Sequence, residues 1–486
     1  MIAIVVSRAD HASEHIGEHL LELAAWDRHE DRTRPDGEGG GTYYRTDGFE
    51  LRTFDDLHIH LDDPATAFGG DGSTDGDGDH DANRDDGGEP DALVFVSRHS
   101  GDTGALLTAH VTGNFGPAEY GGEPDEFARA APGTEKRVVE ALDDHAPEGY
   151  DVGIECTHHG PTAVSVPSLF VELGSDTPQW EDPDAARAVA RAVLDLRGTS
   201  PDLIGSDGRA RHVVGFGGGH YAPRFTRIVR DTEWAVGHVG ADWGLAALGS
   251  PDANRAVIDR AFERSGAAHA VIEGDRPALR SVIEGLGHRV VSETWIREVG
   301  DRPLALVDAV EDALRPVDDG LRFGDVVPDP VRDADGDHGP FVVRELPAEL
   351  LARAQGVDAD ATRTAVEASA VAFETEQAGT RAAGGCAFAS DRPGRPDAVD
   401  LVADLAAVLE AAYDEVTVTD DAVIARVEAF DPALAAERGV PEGPAFGRLS
   451  GGEAVEVDGE TIAPDDVSRT TEDRFPIDGP DSTGAK

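Results

Sequence analysis

The chain has 486 residues, 40% of them apolar, which is enough for two domains with separate cores. Its formal net charge is -54, and Lys136 and Lys486 are its only lysines. Carboxylates spread along the whole chain among apolar periodicities exclude a disordered acidic tail and fit a surface kept hydrated in molar salt; at about 1 M salt the Debye length is only ~3 Å, so the acidity does not exclude a nucleic-acid partner.

In chain order, IAIVVS (Ile2 to Ser7) reads as a buried strand, and SEHIGEHLLELAAW after it as an amphipathic helix with Ile16, Leu20 and Leu23 inward. Inside that helix His15 to His19 spells H-x-x-E-H, with His11 one turn earlier. This is the inverted zincin pattern, but a plain amphipathic helix explains the same residues and no distal ligand accompanies them. Gly69 to Asp91, rich in Asp and Gly, cannot bury anything and is expected to be a disordered acidic insertion; it lacks the EF-hand spacing. ALVFVS, LLTAHVT, VGIECT, SLFVELG, HVVGFG, WAVGHVG and HAVIEG follow as strands, with helical stretches between them. The clearest helix starts with Asp182 as N-cap and Pro183 at the first helical position. This alternation predicts an α/β catalytic domain over residues 1–314, with a mixed, largely parallel central sheet flanked by helices. Residues 315–340 read as a linker, and 341–486 as a smaller α+β extension, helical and Ala-rich to about Tyr413, with a small module at 430–467. Cys156 and Cys386 make no disulfide framework, and neither a basic leader nor a membrane-length apolar run is present. The expectation is a cytoplasmic monomer in a reducing compartment, away from membranes.

The chemistry gathers at strand ends, where the loops of an open α/β sheet converge. His99, His110, His158, His159, His220 and His238 all stand there. Neutral imidazole is the commonest transition-metal ligand, and a catalytic Zn²⁺ takes three protein ligands and leaves one position open. The segment GIECTHHGPT supplies Glu155, His158 and His159, with His99 and His220 completing the set for one or two zinc ions. Adjacent histidines on a strand point opposite ways, so both reach one ion only if Gly160-Pro161 turns the backbone. Otherwise one ligates while the other acts as base, or each serves its own ion. Glu155, His159 and His99 are the catalytic candidates for proton handling. Cys156 fits a small buried side chain as well as a nucleophile. GFGGGH (Gly215 to His220) fails the dinucleotide fingerprint, so no nucleotide cofactor is expected. Its Gly217, Gly218 and Gly219 can approach a substrate oxyanion or phosphate through bare backbone, or simply make a tight strand exit. Arg224, Arg227 and Arg230 suit phosphates or acidic surface partners.

The ordered set VVSRADHAS, VSRHSG, AHVTGNFG, GIECTHHGPT, FVELGSDTPQW and GFGGGHYAPRF resembles the archaeal and plant type of D-aminoacyl-tRNA deacylase, over roughly residues 1 to 310. The resemblance implies a zinc-dependent esterase that removes D-amino acids from mischarged tRNA, on a fold similar to peptidyl-tRNA hydrolases and phosphorylase-like hydrolases. It carries over onto Ser97, Arg98, His99, His110, Glu155, Thr157, His158, His159, Glu172, Trp180, His220 and Tyr221, without individual roles. Arg98, Asn114, Trp180, Tyr221 and Arg224, with the three glycines, are the expected substrate contacts. Phe430 to Val467 resembles a segment of ribonuclease Z without that enzyme's metal motif. A peptidyl-tRNA hydrolase-like esterase, a metal-free phosphorylase-like enzyme and an acidic RNA-binding scaffold stay open as alternatives.

Overall fold

A computed structural model describes residues 1–70, 88–328, 341–390 and 398–477. Most of the expected acidic insertion (71–87) and the later half of the expected linker (329–340) lie outside the described residues. The chain divides into two compact units, Met1–Pro303 and Leu304–Lys486.

The first unit holds two sheets. Strands β1 (Ile2–Ser7), β2 (Asp27–Asp31), β3 (Gly41–Thr46), β4 (Phe49–Phe54), β5 (Ala92–Arg98), β6 (Leu106–His110), β7 (Asp151–Ile154) and β8 (Ser168–Gly174) form the larger one. Their order is β2-β3-β4-β1-β5-β8-β6-β7. β1 lies parallel to β4 and β5, β5 to β8, and β6 to β7, whereas β6 runs antiparallel to β8. The mixed, largely parallel sheet expected from the strand pattern is therefore present. β1 and most of β5 are buried throughout, as continuous Val/Ile/Leu runs covered on both faces should be. Helix α1 (His11–Leu23) follows β1, with the Asp10 carboxylate accepting from the Ser13 amide as its N-cap. α2 is Pro132–His145, α3 Thr177–Trp180, and α4 Pro183–Leu194 starts on the expected Asp182 cap.

The smaller sheet is wholly parallel, in the order β10 (Ala235–Gly240), β9 (His212–Phe216), β11 (His269–Ile272) and β12 (Arg289–Val290). α5 (Pro223–Asp231), α6 (Asp242–Leu248), α7 (Arg255–Ser265), α8 (Pro277–Gly285) and α9 (Glu293–Val299) alternate with these strands. One core, including Phe115, Phe127, Phe216 and Phe262, lies against this sheet.

The second unit begins before the expected boundary at 314, with a helix over Leu304–Ala313. Part of the expected linker is folded: Leu321–Phe323 is a strand pairing antiparallel with Ala372–Glu376. The Ala-rich region is also not uniformly helical. Ala348–Val357, Ala359–Ser369 and Ala398–Leu409 are helices, but Ala372–Glu376 and Arg381–Ala389 are antiparallel strands. Buried Phe373, Cys386 and Phe388 on those strands pack with Leu350, Leu401 and Leu405 of the helices, so tertiary pairing overrides alanine's helix preference. Residues 430–467 carry two short helices and a two-stranded hairpin around Leu449, Val455, Ile462 and Val467.

Candidate metal and active site

The larger sheet brings four strands to one cluster. In register, Ser97 on β5 and Thr108 on β6 flank Glu172 on β8, so all three side chains share a face. Ser97 Oγ donates to Glu172 Oε1 at 2.8 Å, and Thr108 Oγ1 to Glu155 Oε1 at 2.5 Å. Glu155 follows directly on β7, its amide bonded to the Ala109 carbonyl. His99, just past β5, places Nδ1 3.0 Å from Glu155 and 3.3 Å from Glu172, and Nε2 3.1 Å from the Tyr221 hydroxyl. The Trp180 indole N–H holds the His99 carbonyl at 2.9 Å. Gly174 makes this approach possible, because a Cβ there would stand 2.6 Å from His99 Cβ.

The loop after β7 supplies the paired histidines. His159 takes a left-handed φ of 51°, and this turn sets the rings of His158 and His159 together, centroids 4.4 Å apart, rather than on opposite faces. The smaller sheet delivers His220: Gly217 and Gly218 (φ 101° and 83°) carry the chain out of β9 past Glu273. The Cys156 amide bonds the His220 carbonyl at 2.7 Å, and His220 Nε2 lies 2.7 Å from Glu155 Oε2.

Carbonyl oxygens only accept, so each one facing a ring nitrogen fixes the proton there. Nδ1 of His110 faces the Val111 carbonyl at 3.2 Å, Nδ1 of His158 that of Cys156 at 2.8 Å, and Nδ1 of His159 that of Gly160 at 2.7 Å. His158 and His159 thus present Nε2 as the lone-pair nitrogen, whereas Glu172 outweighs burial and raises the pKa of His110, so a cation that takes His110 Nε2 must displace a proton held there. His110 Nε2 is buried without a hydrogen-bond partner, although a Glu172 oxygen is 3.4 Å away. His110, His158 and His159 have ligand atoms within 4.8 Å of one another; the other sets of this kind among the described residues are Cys156/His158/His220, His99/Glu155/His220 and His110/Glu155/Glu172. The donor chemistry fits a borderline cation such as Zn²⁺, with carbonyls fixing the outer ring nitrogens of the imidazole triad.

The electrostatics are uneven. Burial, with His159 and His110 nearby, pushes His158 well down, and burial next to His110 puts His159 at about 4, so both rings are neutral at pH 7 and could serve as ligands. His99 goes the other way. Burial opposes its charge, but Glu155 and Glu172 outweigh it and raise its pKa to about 11, making it an imidazolium between two carboxylates. Glu155 is held well below the carboxylate range, because bonds from His220 and His99 outweigh its burial.

The five expected ligands do not form one set. His99, Glu155 and His220 meet in one group, while His158 and His159 meet with His110, which the sequence places among the strand-end histidines but outside the expected ligand set. His110 and Glu172 join through the antiparallel β6–β8 pairing, which strand-end logic for a parallel sheet does not anticipate. Thr108 was missed; its only sequence signal is its place two residues before His110. Several expected substrate contacts have structural work instead. The Gly217 amide is spent on the Gly240 carbonyl, so it is no oxyanion donor. Arg224 lies 3.5 Å from Glu293, which also binds Arg227, and Arg230 pairs with Asp143. Asn114 Nδ2 pins the carbonyls of Gly121 and Glu123. The Arg98 guanidinium packs 5.4 Å from the Trp180 ring centre. Only Tyr221 contacts a cluster imidazole directly through its side chain. Gly218 and Gly219 shape the His220 loop. Cys156 is buried and burial lifts its thiol to about 12, which suits packing, not attack. His238 is a buried structural group, bonded to Ala128 O and Thr157 Oγ1. In α1, His15 Nδ1 bonds the Trp180 carbonyl and His19 lies 3.3 Å from Glu22, and neither belongs to a ligand group.

No helix among the described residues is long and apolar enough to cross a membrane. The sequence profile of the family described as D-aminoacyl-tRNA deacylase matches residues 86–291, entirely within the first unit. Proteins called D-aminoacyl-tRNA deacylase are similar to the whole chain. That of Halorubrum lacusprofundi is 70% identical over 100% of this chain and 99% of its own. That of Natronomonas pharaonis is 55% identical over 98% of this chain and 100% of its own. A more distant relative from Methanoregula boonei is 36% identical over 80% of this chain and 85% of its own. A crystal structure of a conserved protein of unknown function superposes with a TM-score of 0.50 at 29% identity, covering 62% of this chain and 99% of that one. With relatives this similar over nearly their full length, the chain belongs to the D-aminoacyl-tRNA deacylase family of ester hydrolases.

Proposed function

We propose that the first unit hydrolyses the ester joining a D-amino acid to the terminal ribose of tRNA, with one or two zinc ions as cofactor. The observation that carries the metal part of this reading is the grouping of His110, His158 and His159, whose ligand atoms lie within 4.8 Å of one another, with the Glu172 carboxylate 3.4 Å from His110 Nε2. A zinc ion held there supplies Lewis acidity to the ester carbonyl and to an attacking water.

The chain's own groups handle charge and protons. With Glu155 ionised, the proton between Glu155 Oε2 and His220 sits on Nε2, so Nδ1 is the basic nitrogen. The His220 side chain is 30% exposed, far more than Glu155 beneath it, and its Nδ1 faces the Cys156 thiol at 3.7 Å. Turned away from that thiol, Nδ1 takes a proton from water as the water oxygen adds to the carbonyl carbon, then returns it to the ribose oxygen as the acyl–oxygen bond breaks. His99 stays charged between Glu155 and Glu172 and keeps two buried carboxylates from raising each other's pKa. Thr108 and Ser97 orient those carboxylates.

Hydrolysis of D-Tyr-tRNA and L-Tyr-tRNA in molar KCl, with wild type and His158→Ala, tests the reading. Release of D-Tyr by the wild type, at least 100-fold reduced in the variant, supports it. A wild type inert toward D-Tyr-tRNA, or a fully active variant, overturns it.

A further inference from the structure

Among the described residues only two Phe, Tyr or Trp side chains are exposed, Tyr120 at 66% and Trp243 at 51%. Both are fastened to the imidazole cluster. The Tyr120 carbonyl accepts from the Gly160 amide, directly after His159, and Thr162 Oγ1 accepts from the Glu123 amide in the same turn. Trp243 stands on α6, whose Asp242 amide bonds the Gly218 carbonyl two residues before His220, and its indole reaches the Cys156 thiol. The two segments also touch: a Cβ on Gly116 would lie 3.1 Å from Ala247 Cβ, and one on Gly244 3.4 Å from Phe115 Cβ. Each exposed ring thus stands on backbone that bonds a segment of the site.

Resting on the deacylase reading, we infer that Trp243, with Tyr120 on the adjoining segment, is the stacking platform for the terminal adenine of the tRNA, positioning its ribose ester over the histidines. An indole left half in solvent costs hydration unless a flat apolar partner covers it. A base does this whatever its sequence context, because every base has a π-face. The alternative grip, cations on phosphates, is poorly provided here. Near this surface Arg224 and Arg227 face Glu293, Arg276 binds Asp242 and Arg260 binds Glu126. Phosphate contacts also weaken steeply with salt, whereas stacking does not depend on counterion release.

Adenosine 5'-monophosphate titrated by calorimetry into wild type, Trp243→Ala, Trp243→Phe and Tyr120→Ala, in molar KCl, tests this. Trp243→Ala should weaken Kd about ten-fold or more, Trp243→Phe should restore it to within about three-fold, and Tyr120→Ala should weaken it in the same direction. With D-Tyr-tRNA, the rise in KM for Trp243→Ala should exceed any fall in kcat. Equal Kd in wild type and Trp243→Ala, or no binding by wild type, overturns the inference. Trp243-dependent binding by a chain that releases no D-Tyr would sink the deacylase reading and leave the platform standing.

Discussion

Glu155→Gln is the sharpest single perturbation of the cluster, because it keeps the shape and removes one charge. The carboxylate accepts from Thr108 Oγ1 at 2.5 Å and pairs with His220 Nε2 at 2.7 Å and His99 Nδ1 at 3.0 Å. Glutamine offers one acceptor oxygen and an NH₂ that must face one of these donors. Two charge-assisted bonds are lost at about 1.5–3 kcal/mol each, partly offset by easier burial and less repulsion from Glu172, which leaves a net destabilisation of roughly 2–4 kcal/mol. His220 also loses the partner that fixes its basic nitrogen, so the chemical step should slow by about 10² to 10⁴. Single-turnover release of D-Tyr from tRNA gives the rate, and equilibrium denaturation followed by tryptophan fluorescence gives the stability, both in molar KCl. A variant that turns over within ten-fold of wild type while losing stability would refute the catalytic part of this reasoning and leave Glu155 a packing residue.

Three other outcomes are expected. His238 and His58 are buried and neutral, with burial lowering their pKa values to about 3 and about 4. The unfolded chain binds their protons first, near pH 6.5, so stability is full above that value and falls as pH drops toward 4; each such histidine costs about 1.4 kcal/mol for every pH unit below 6.5, a few kcal/mol in all. Denaturation midpoints from pH 7.5 to 4.5 check this, and His238→Gln should flatten the slope. His19→Ala, in the H-x-x-E-H helix, should leave zinc content and D-Tyr release within about two-fold of wild type, measured by elemental analysis and the hydrolysis assay. A chain ending at Pro303, where the first unit ends, should raise KM for D-Tyr-tRNA about ten-fold if the second unit grips the tRNA; an unchanged KM would leave that unit without a binding role.

Much of the first unit was legible in the sequence because its strands are continuous apolar runs and its caps are local. Asp182-Pro183 opens a helix wherever it stands, and GIECTHHGPT announces its chemistry by residue type. Which of these residues meet depends on pairing between distant segments. His110 enters the candidate metal set because β6 runs against β8, which sets Thr108 opposite Glu172 and His110 opposite Phe170, and no local pattern encodes that direction. Arg224 looked like a phosphate ligand because its partner Glu293 is far away in the chain. The strands at Ala372–Glu376 and Arg381–Ala389 were hidden by alanines that favour helix in isolation.

The central claim is that a cation sits on the imidazole triad of His110, His158 and His159. Metal stoichiometry by native mass spectrometry, run with D-Tyr-tRNA turnover on the same samples of wild type and His110→Ala, tests it most directly. The expected result is zinc in the wild type, its loss together with activity in His110→Ala and after chelation, and recovery of the chelated wild type when zinc is returned. Full-speed turnover by wild type stripped of metal would contradict the account.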